Sequence, residues 1–170
     1  MATTIESTAT DAAVKRTFKG TLRVVDPSPL NWLFITWNTM EEPIRTDHDG
    51  RAVYSMATGH RYSNGGKTIE MDVRKGNLFQ NGEPCTAHHI KLAFDEMQRW
   101  EAPHPPGTWL NFPPESVAEV IDDYTIHFHL PEPDGLALAK MRGFHVPSTS
   151  FWTDGPGFGY KREASGNGNW

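Results

Sequence analysis

The chain's most chemically versatile side chains are its eight histidines and its one cysteine, Cys85. His127 and His129 stand two apart in the run TIHFHL. On a strand that spacing sends both imidazoles to one face, where they could chelate a metal ion. Joined by a further histidine they would make a small metal-dependent enzyme, which is the alternative function. The competing reading turns Tyr124, Ile126, Phe128 and Leu130 toward a core and leaves Thr125, His127 and His129 in water. No carboxylate or cysteine stands at a supporting spacing, so no metal ligand is assigned. His88 and His89 are adjacent on an expected helix and splay apart by about 100°, which unsuits them to one ion. Cys85 follows Pro84 just before that helix, where a thiol pKa could be lowered; the competing reading is a buried structural thiol. Gly155-Pro156-Gly157-Phe158-Gly159 is no phosphate loop, because it follows no clear strand and has proline where a backbone donor is wanted. Neither a Gly-x-Ser-x-Gly elbow nor a His-Glu-x-x-His pattern occurs. Asp122-Asp123 and Glu41-Glu42 read as turn and surface carboxylates. No catalytic residue and no cofactor are assigned, and the protein is read as non-enzymatic.

The elements that position these groups are best defined between Lys67 and Met97, KTIEMDVRKGNLFQNGEPCTAHHIKLAFDEM. Ile69, Met71 and Val73 alternate with Thr68, Glu70, Asp72 and Arg74, the period of a strand with one buried face. Lys75-Gly76 and Asn81-Gly82 supply turns. Thr86 is an N-cap for a helix beginning at Ala87, and Ile90, Ala93, Phe94 and Met97 share its apolar face. His60–Ser63 and Lys67–Arg74 should pair as a hairpin around Asn64-Gly65-Gly66, with Ile44–Asp47 joining the same antiparallel sheet. Ser116–Ile121 and Tyr124–Leu130 form a second hairpin about Asp122-Asp123. Leu136, Leu138, Ala139 and Met141 make a short helix, and His145-Val146-Pro147 ends a strand. Thr21–Val25 reads as a first strand. The prolines of EAPHPPGTWLNFPPE forbid regular structure, and FWTDGPGFGYKREASGNGNW is too glycine-rich for a core element.

A chain of 170 residues suits one domain with a real core. Its 16 Lys and Arg against 21 Asp and Glu give a formal charge of −5. This balance argues against a nucleic-acid partner, since phosphate contacts need clustered Lys and Arg. One cysteine permits no internal disulfide. No apolar run approaches the about 20 residues of a membrane helix. The opening MATTIESTATDAAVKRTF carries Glu6, Asp11, Lys15 and Arg16 and no continuous apolar core, so it is not a recognisable secretory signal.

The Lys67–Met97 stretch resembles the peptide/nickel-binding family of ABC-transporter solute-binding proteins, extracellular solute-binding family 5. The resemblance rests on Gly66-Lys67-Thr68, Val73-Arg74-Lys75-Gly76, Phe79, Gly82-Glu83-Pro84, Thr86-Ala87, Ile90-Lys91 and Phe94, in fixed order without a gap. Asp26-Pro27, Glu42-Pro43-Ile44 and the run from Val117 to Pro131 extend it over residues 21–150. Ala52–Gly59 stands where the family shows a helical turn, and a short helical turn is expected there. Three departures stand out: Gln80-Asn81 replaces the usual His-Asp, Cys85 takes an apolar position, and His88-His89 replaces Glu-Asp. The last removes the carboxylate that would close a capping box with Thr86.

The resemblance implies an α+β fold, antiparallel β-hairpins with packed helices. This would be the first part of a two-lobed periplasmic-binding-protein fold of the class II, cluster C-like kind. Residues 1–19 are expected to be a mobile N-terminal arm, 20–150 the N-terminal lobe, and 151–170 a glycine-rich tail leading toward a second lobe. The family's members are substrate-binding components of bacterial importers. The implied partners are a peptide or similar small solute and the membrane permease, and the implied location is the periplasm. A lone first lobe would bind weakly, and its exposed half-core could make it self-associate. By resemblance the cleft is bordered by Trp32, Phe34, Trp37 and Asn38 after the first strand, by Trp109 in the Pro-rich loop, and by Arg142 after the last short helix. Aromatic planes bury apolar ligand surface, and an Arg fork pairs with a ligand carboxylate. The bland alternatives are core aromatics and an exposed helix-end cation.

Overall fold

The computed structural model describes residues 20, 38–98, 112–143 and 145–153. The arm at 1–19, the strand expected at Thr21–Val25, most of the Pro-rich loop and the tail beyond residue 153 lie outside the described residues, as does the side chain of Met97. Among the described residues, two antiparallel units make up the sheet structure. Strands β1 (Ile44–Thr46) and β2 (Ala52–Tyr54) pair with each other and, among the described residues, with no further strand. Strands β3 (Ala57–Ser63), β4 (Thr68–Val73), β5 (Val117–Asp122) and β6 (Thr125–His129) form one sheet in the order β3-β4-β6-β5.

The β3–β4 hairpin closes where Asn64, Gly65 and Gly66 all take positive φ, at 49°, 64° and 87°. Three left-handed residues in succession suit glycine and asparagine and few others. Alternation in β4 holds from Ile69 onward: Ile69, Met71 and Val73 are buried and Glu70 and Asp72 lie on the wetter face, whereas Thr68, read with the polar set, is buried as well. On β6, Ile126 and Phe128 turn inward beside them. Helix α1 (Ala87–Gln98) lays Ile90, Ala93 and Phe94 onto this surface. The Phe94 ring meets Phe128 and Phe112, each at 5.3 Å between centroids, in tilted and edge-on arrangements that suit aromatic quadrupoles. Two short helices, α2 (Ala137–Lys140) and α3 (Thr149–Thr153), complete the described fold.

Two expectations fail in the segment before β3. Ala52–Gly59 is not a helical turn: it supplies β2 and the start of β3. The cause lies just upstream, where the Asp47 carboxylate accepts the backbone N–H groups of Asp49 and Arg51 at 2.9 and 2.8 Å. That side-chain cap, with Gly50 at φ 80°, folds the chain back so that Val53 and Tyr54 pair with β1. For the same reason Ile44–Asp47 does not join the large sheet. The small hairpin is attached through Pro43, whose carbonyl accepts the Ser55 and Ala57 N–H groups, and Glu42, which accepts that of Met56. Phe151–Thr153, the first residues of the glycine-rich stretch, end α3, a helix with no buried residue. Glu42 is no surface carboxylate either, being 1% exposed.

The Phe94–Phe128–Phe112 contact is the joint between helix and sheet. Phe128→Ala should destabilise the protein by about 3–5 kcal/mol through lost burial and a residual cavity. Urea unfolding followed by circular dichroism would show this as a lower midpoint at unchanged slope.

Candidate functional site

Beyond β4 the chain turns at Lys75-Gly76 and enters the loop Asn77–Pro84, pinched by a bridge between Leu78 and Pro84. Phe79 N–H donates to the Glu83 carbonyl and Gly82 N–H to that of Phe79, so the tip is a closed turn at Asn81-Gly82. This loop is one wall of a cavity of about 360 Å³. Thr39–Glu41 and Val146–Ser148, joined by a bridge between Glu41 and Val146, form a second wall, and Phe151 of α3 a third. Apolar bodies line it (Met40, Met56, Leu78 and Phe79 among them), with Gln80 and Asn77 as polar groups. Leu78 is 66% exposed, a large apolar side chain held in water at this site.

A polar staple holds the loop against α1 and α3. The His89 ring Nδ1 lies 3.2 Å from the Thr86 backbone nitrogen, which donates to it, and 3.1 Å from Thr86 Oγ1. The proton therefore sits on Nε2, which donates to Glu83 Oε1 at 2.8 Å. Glu83 Oε2 in turn accepts the Thr149 N–H at 3.1 Å, and Asn81 Nδ2 donates to Ser150 Oγ at 3.0 Å. An imidazole thus performs the reciprocal half of the capping box at the position where a carboxylate was missed. Hydrogen bonding from Thr149, then from His89, holds the Glu83 carboxyl down at about 2. Cys85, behind the loop, is the buried thiol: burial, followed by the charges of Glu41 and Glu83, pushes it up to about 12. The shift is opposite in direction to the lowered pKa considered for it and fits the structural thiol.

On the other side of the Thr39–Thr46 segment a second cavity, of about 220 Å³, is lined by Glu42, Arg45, Thr46 and Arg142. Arg45 Nε donates to Glu42 Oε2 at 2.7 Å, while Glu42 Oε1 lies 3.0 Å from His145 Nδ1. A carboxylate this buried is tolerated beside a cation such as the Arg45 guanidinium. Arg142, in the 3-10 turn Met141–Gly143 after α2, is half-buried at the cavity wall and not a fully exposed helix-end cation.

Of the six expected cleft residues, Trp32, Phe34, Trp37 and Trp109 lie outside the described residues. Asn38 is exposed and lines neither of these two cavities, while Arg142 lines the second. Sequence reasoning missed the Asn77–Gln80 wall, although two of the departures noted in the sequence, Gln80 and Cys85, line the cavity. It also missed a partner for the histidine pair: Glu119, on the other strand of the same hairpin, is brought opposite His127 by the β5–β6 register.

The family profile described as bacterial extracellular solute-binding proteins, family 5 Middle, matches residues 51–170, and the chain belongs to that family. Among solved structures, NikA from Brucella suis in complex with Fe(III)-EDTA is similar at TM-score 0.60 and 24% identity, over 69% of this chain and 24% of NikA. An ABC transporter substrate-binding protein from Sinorhizobium meliloti gives TM-score 0.56 and 25% identity, over 70% of this chain and 25% of its own. Haemophilus influenzae OppA complexed with RPPGFSPFR gives 0.57 and 19%, over 78% of this chain and 29% of OppA. The chain therefore spans about a quarter of the length of these binding proteins and shares the α+β architecture of that part of their fold. No curated protein matches the sequence.

The staple has a pH signature. The Glu83 carboxyl falls from 4.5 in its ordinary state to about 2 in the folded protein. Its contribution is therefore fully present above pH 4.5 and is lost as pH falls through about 2. Glu83→Gln should lower the urea midpoint most at neutral pH. The gap from the unsubstituted protein should narrow steadily below pH 4.5, because the other carboxylates cancel in the difference.

Proposed function

We propose that this chain supplies part of one lobe of a substrate-binding component of a bacterial ABC importer. In that reading the protein takes a peptide or similar small solute in the periplasm and presents it to a membrane permease, with no bond chemistry of its own. The observation that carries the reading is the family match over residues 51–170, coinciding with a walled, partly apolar cavity of about 360 Å³ at the Asn77–Pro84 loop. A cavity with a few polar groups among apolar side chains is the usual form of a small-ligand site. Asn77 and Gln80 could meet peptide groups of a ligand while Leu78 and Phe79 bury its side chains. Trp32, Phe34, Trp37, Asn38, Trp109 and Arg142 are proposed as further cleft residues, Arg142 as the partner of a ligand carboxylate.

A two-lobed binder closes by a hinge motion whose equilibrium the ligand shifts. A chain that spans about a quarter of its structural relatives offers a ligand only part of such a clamp. The 170-residue chain should then bind a nonapeptide weakly, showing fast-exchange NMR shifts at millimolar peptide. The shifts should centre on amides of residues 39–41, 77–80 and 146–151, with smaller ones at the further cleft residues 32, 34, 37, 38, 109 and 142. Perturbation centred elsewhere would overturn the assignment of the site. Submicromolar affinity by calorimetry would overturn the dependence on a second lobe.

A further inference from the structure

We propose that the outer face of the large sheet binds one divalent cation of the zinc class, between Glu119 of β5 and His127 and His129 of β6. The sequence offered only the histidine pair; the register supplies the third ligand. Glu119 stands directly opposite His127, and His129 follows two residues along on the same face. One ligand atom from each of the three can be chosen so that all lie within 4.8 Å of one another. The His127 and His129 rings sit 6.1 Å apart at 75°, and His129 Nε2 lies 2.8 Å from Glu119 Oε2.

Zinc bonds of about 2.0–2.1 Å place neighbouring tetrahedral ligand atoms about 3.3 Å apart. The Glu119–His129 pair must open by about half an ångström and His127 must swing inward. Side-chain rotation allows this, since the side chains of His129 and Glu119 are 42% and 56% exposed. Two imidazoles and one carboxylate suit a borderline cation. An all-oxygen shell would suit calcium or magnesium, and thiolates would suit copper(I). Three protein ligands leave one position for water or an external donor.

The surroundings fit ligation. His129 Nδ1 lies 3.3 Å from Thr68 Oγ1 on β4. A hydroxyl both donates and accepts, so it can give its proton to Nδ1 while Nε2–H bonds Glu119. It can equally accept from Nδ1–H once Nε2 holds a metal. Glu70 stands opposite His127 on β4, its carboxylate paired with the Arg61 guanidinium. It adds negative charge beside the site while being committed elsewhere. None of the three ligands lines either cavity, so the site stands independently of the solute-binding reading.

The test uses the 170-residue chain, treated with chelator and titrated with zinc sulfate against a competing chromophoric chelator. One equivalent should bind, raising the thermal midpoint, and calcium chloride should have no effect. His127→Gln, His129→Gln and Glu119→Gln should each weaken zinc at least about tenfold, with unchanged circular dichroism. His88→Gln on α1 should bind as the unsubstituted chain does. Absence of zinc uptake, or uptake unaltered in His127→Gln and His129→Gln, would overturn the proposal.

Discussion

Strand β4 is hydrogen-bonded along both edges, to β3 and to β6, and carries one buried face. A slip of one residue would exchange Ile69, Met71 and Val73 for Glu70 and Asp72 in the core, so its register is held by burial as well as by pairing. The rest of the described chain takes position from it. The Val73 N–H donates to the Tyr124 carbonyl and the Arg74 N–H to that of Met56, while the Leu130 N–H donates to Lys67. These bonds anchor the second hairpin, the small β1–β2 unit and the segment leading to α2. The loop that walls the larger cavity leaves β4 directly through Lys75-Gly76, and its placement is inherited from the strand.

How legible this was depended on whether the information was local. The alternation from Ile69 to Val73, the Asn64-Gly65-Gly66 turn and the helix from Ala87 are set by neighbours along the chain, and all three are present. Ala52–Gly59 was misread because a resemblance stood in for a residue-level cause. The Asp47 cap that bends the chain into β2 is itself local, yet its effect falls several residues downstream. Glu42 was misread for the opposite reason. Nothing near it in sequence says that His145 and Arg142 will enclose it, since burial of a charge is decided by tertiary packing.

The family's departures turn out to be the most informative positions. Replacing a carboxylate at position 89 by histidine keeps the helix cap, because an imidazole nitrogen also accepts a backbone N–H. It adds a second nitrogen that the carboxylate lacks, and that nitrogen recruits Glu83, which holds the start of α3. A single substitution thereby ties three segments around the cavity. The same versatility on β6 makes His127 and His129 readable in two ways, as solvated strand residues or as ligands. Only the strand opposite them bears on which.

The bridge between Glu41 and Val146 and the Glu42–His145 contact join positions about a hundred residues apart in sequence. Each hairpin, by contrast, closes over a few residues. Loop-closure entropy makes such distant partners slow to find one another. During folding the β3–β4 and β5–β6 ribbons can assemble while the cavity is still open, and its last wall arrives when the chain's far end returns. In reverse, that wall is the seam along which the molecule can part while its sheet remains intact.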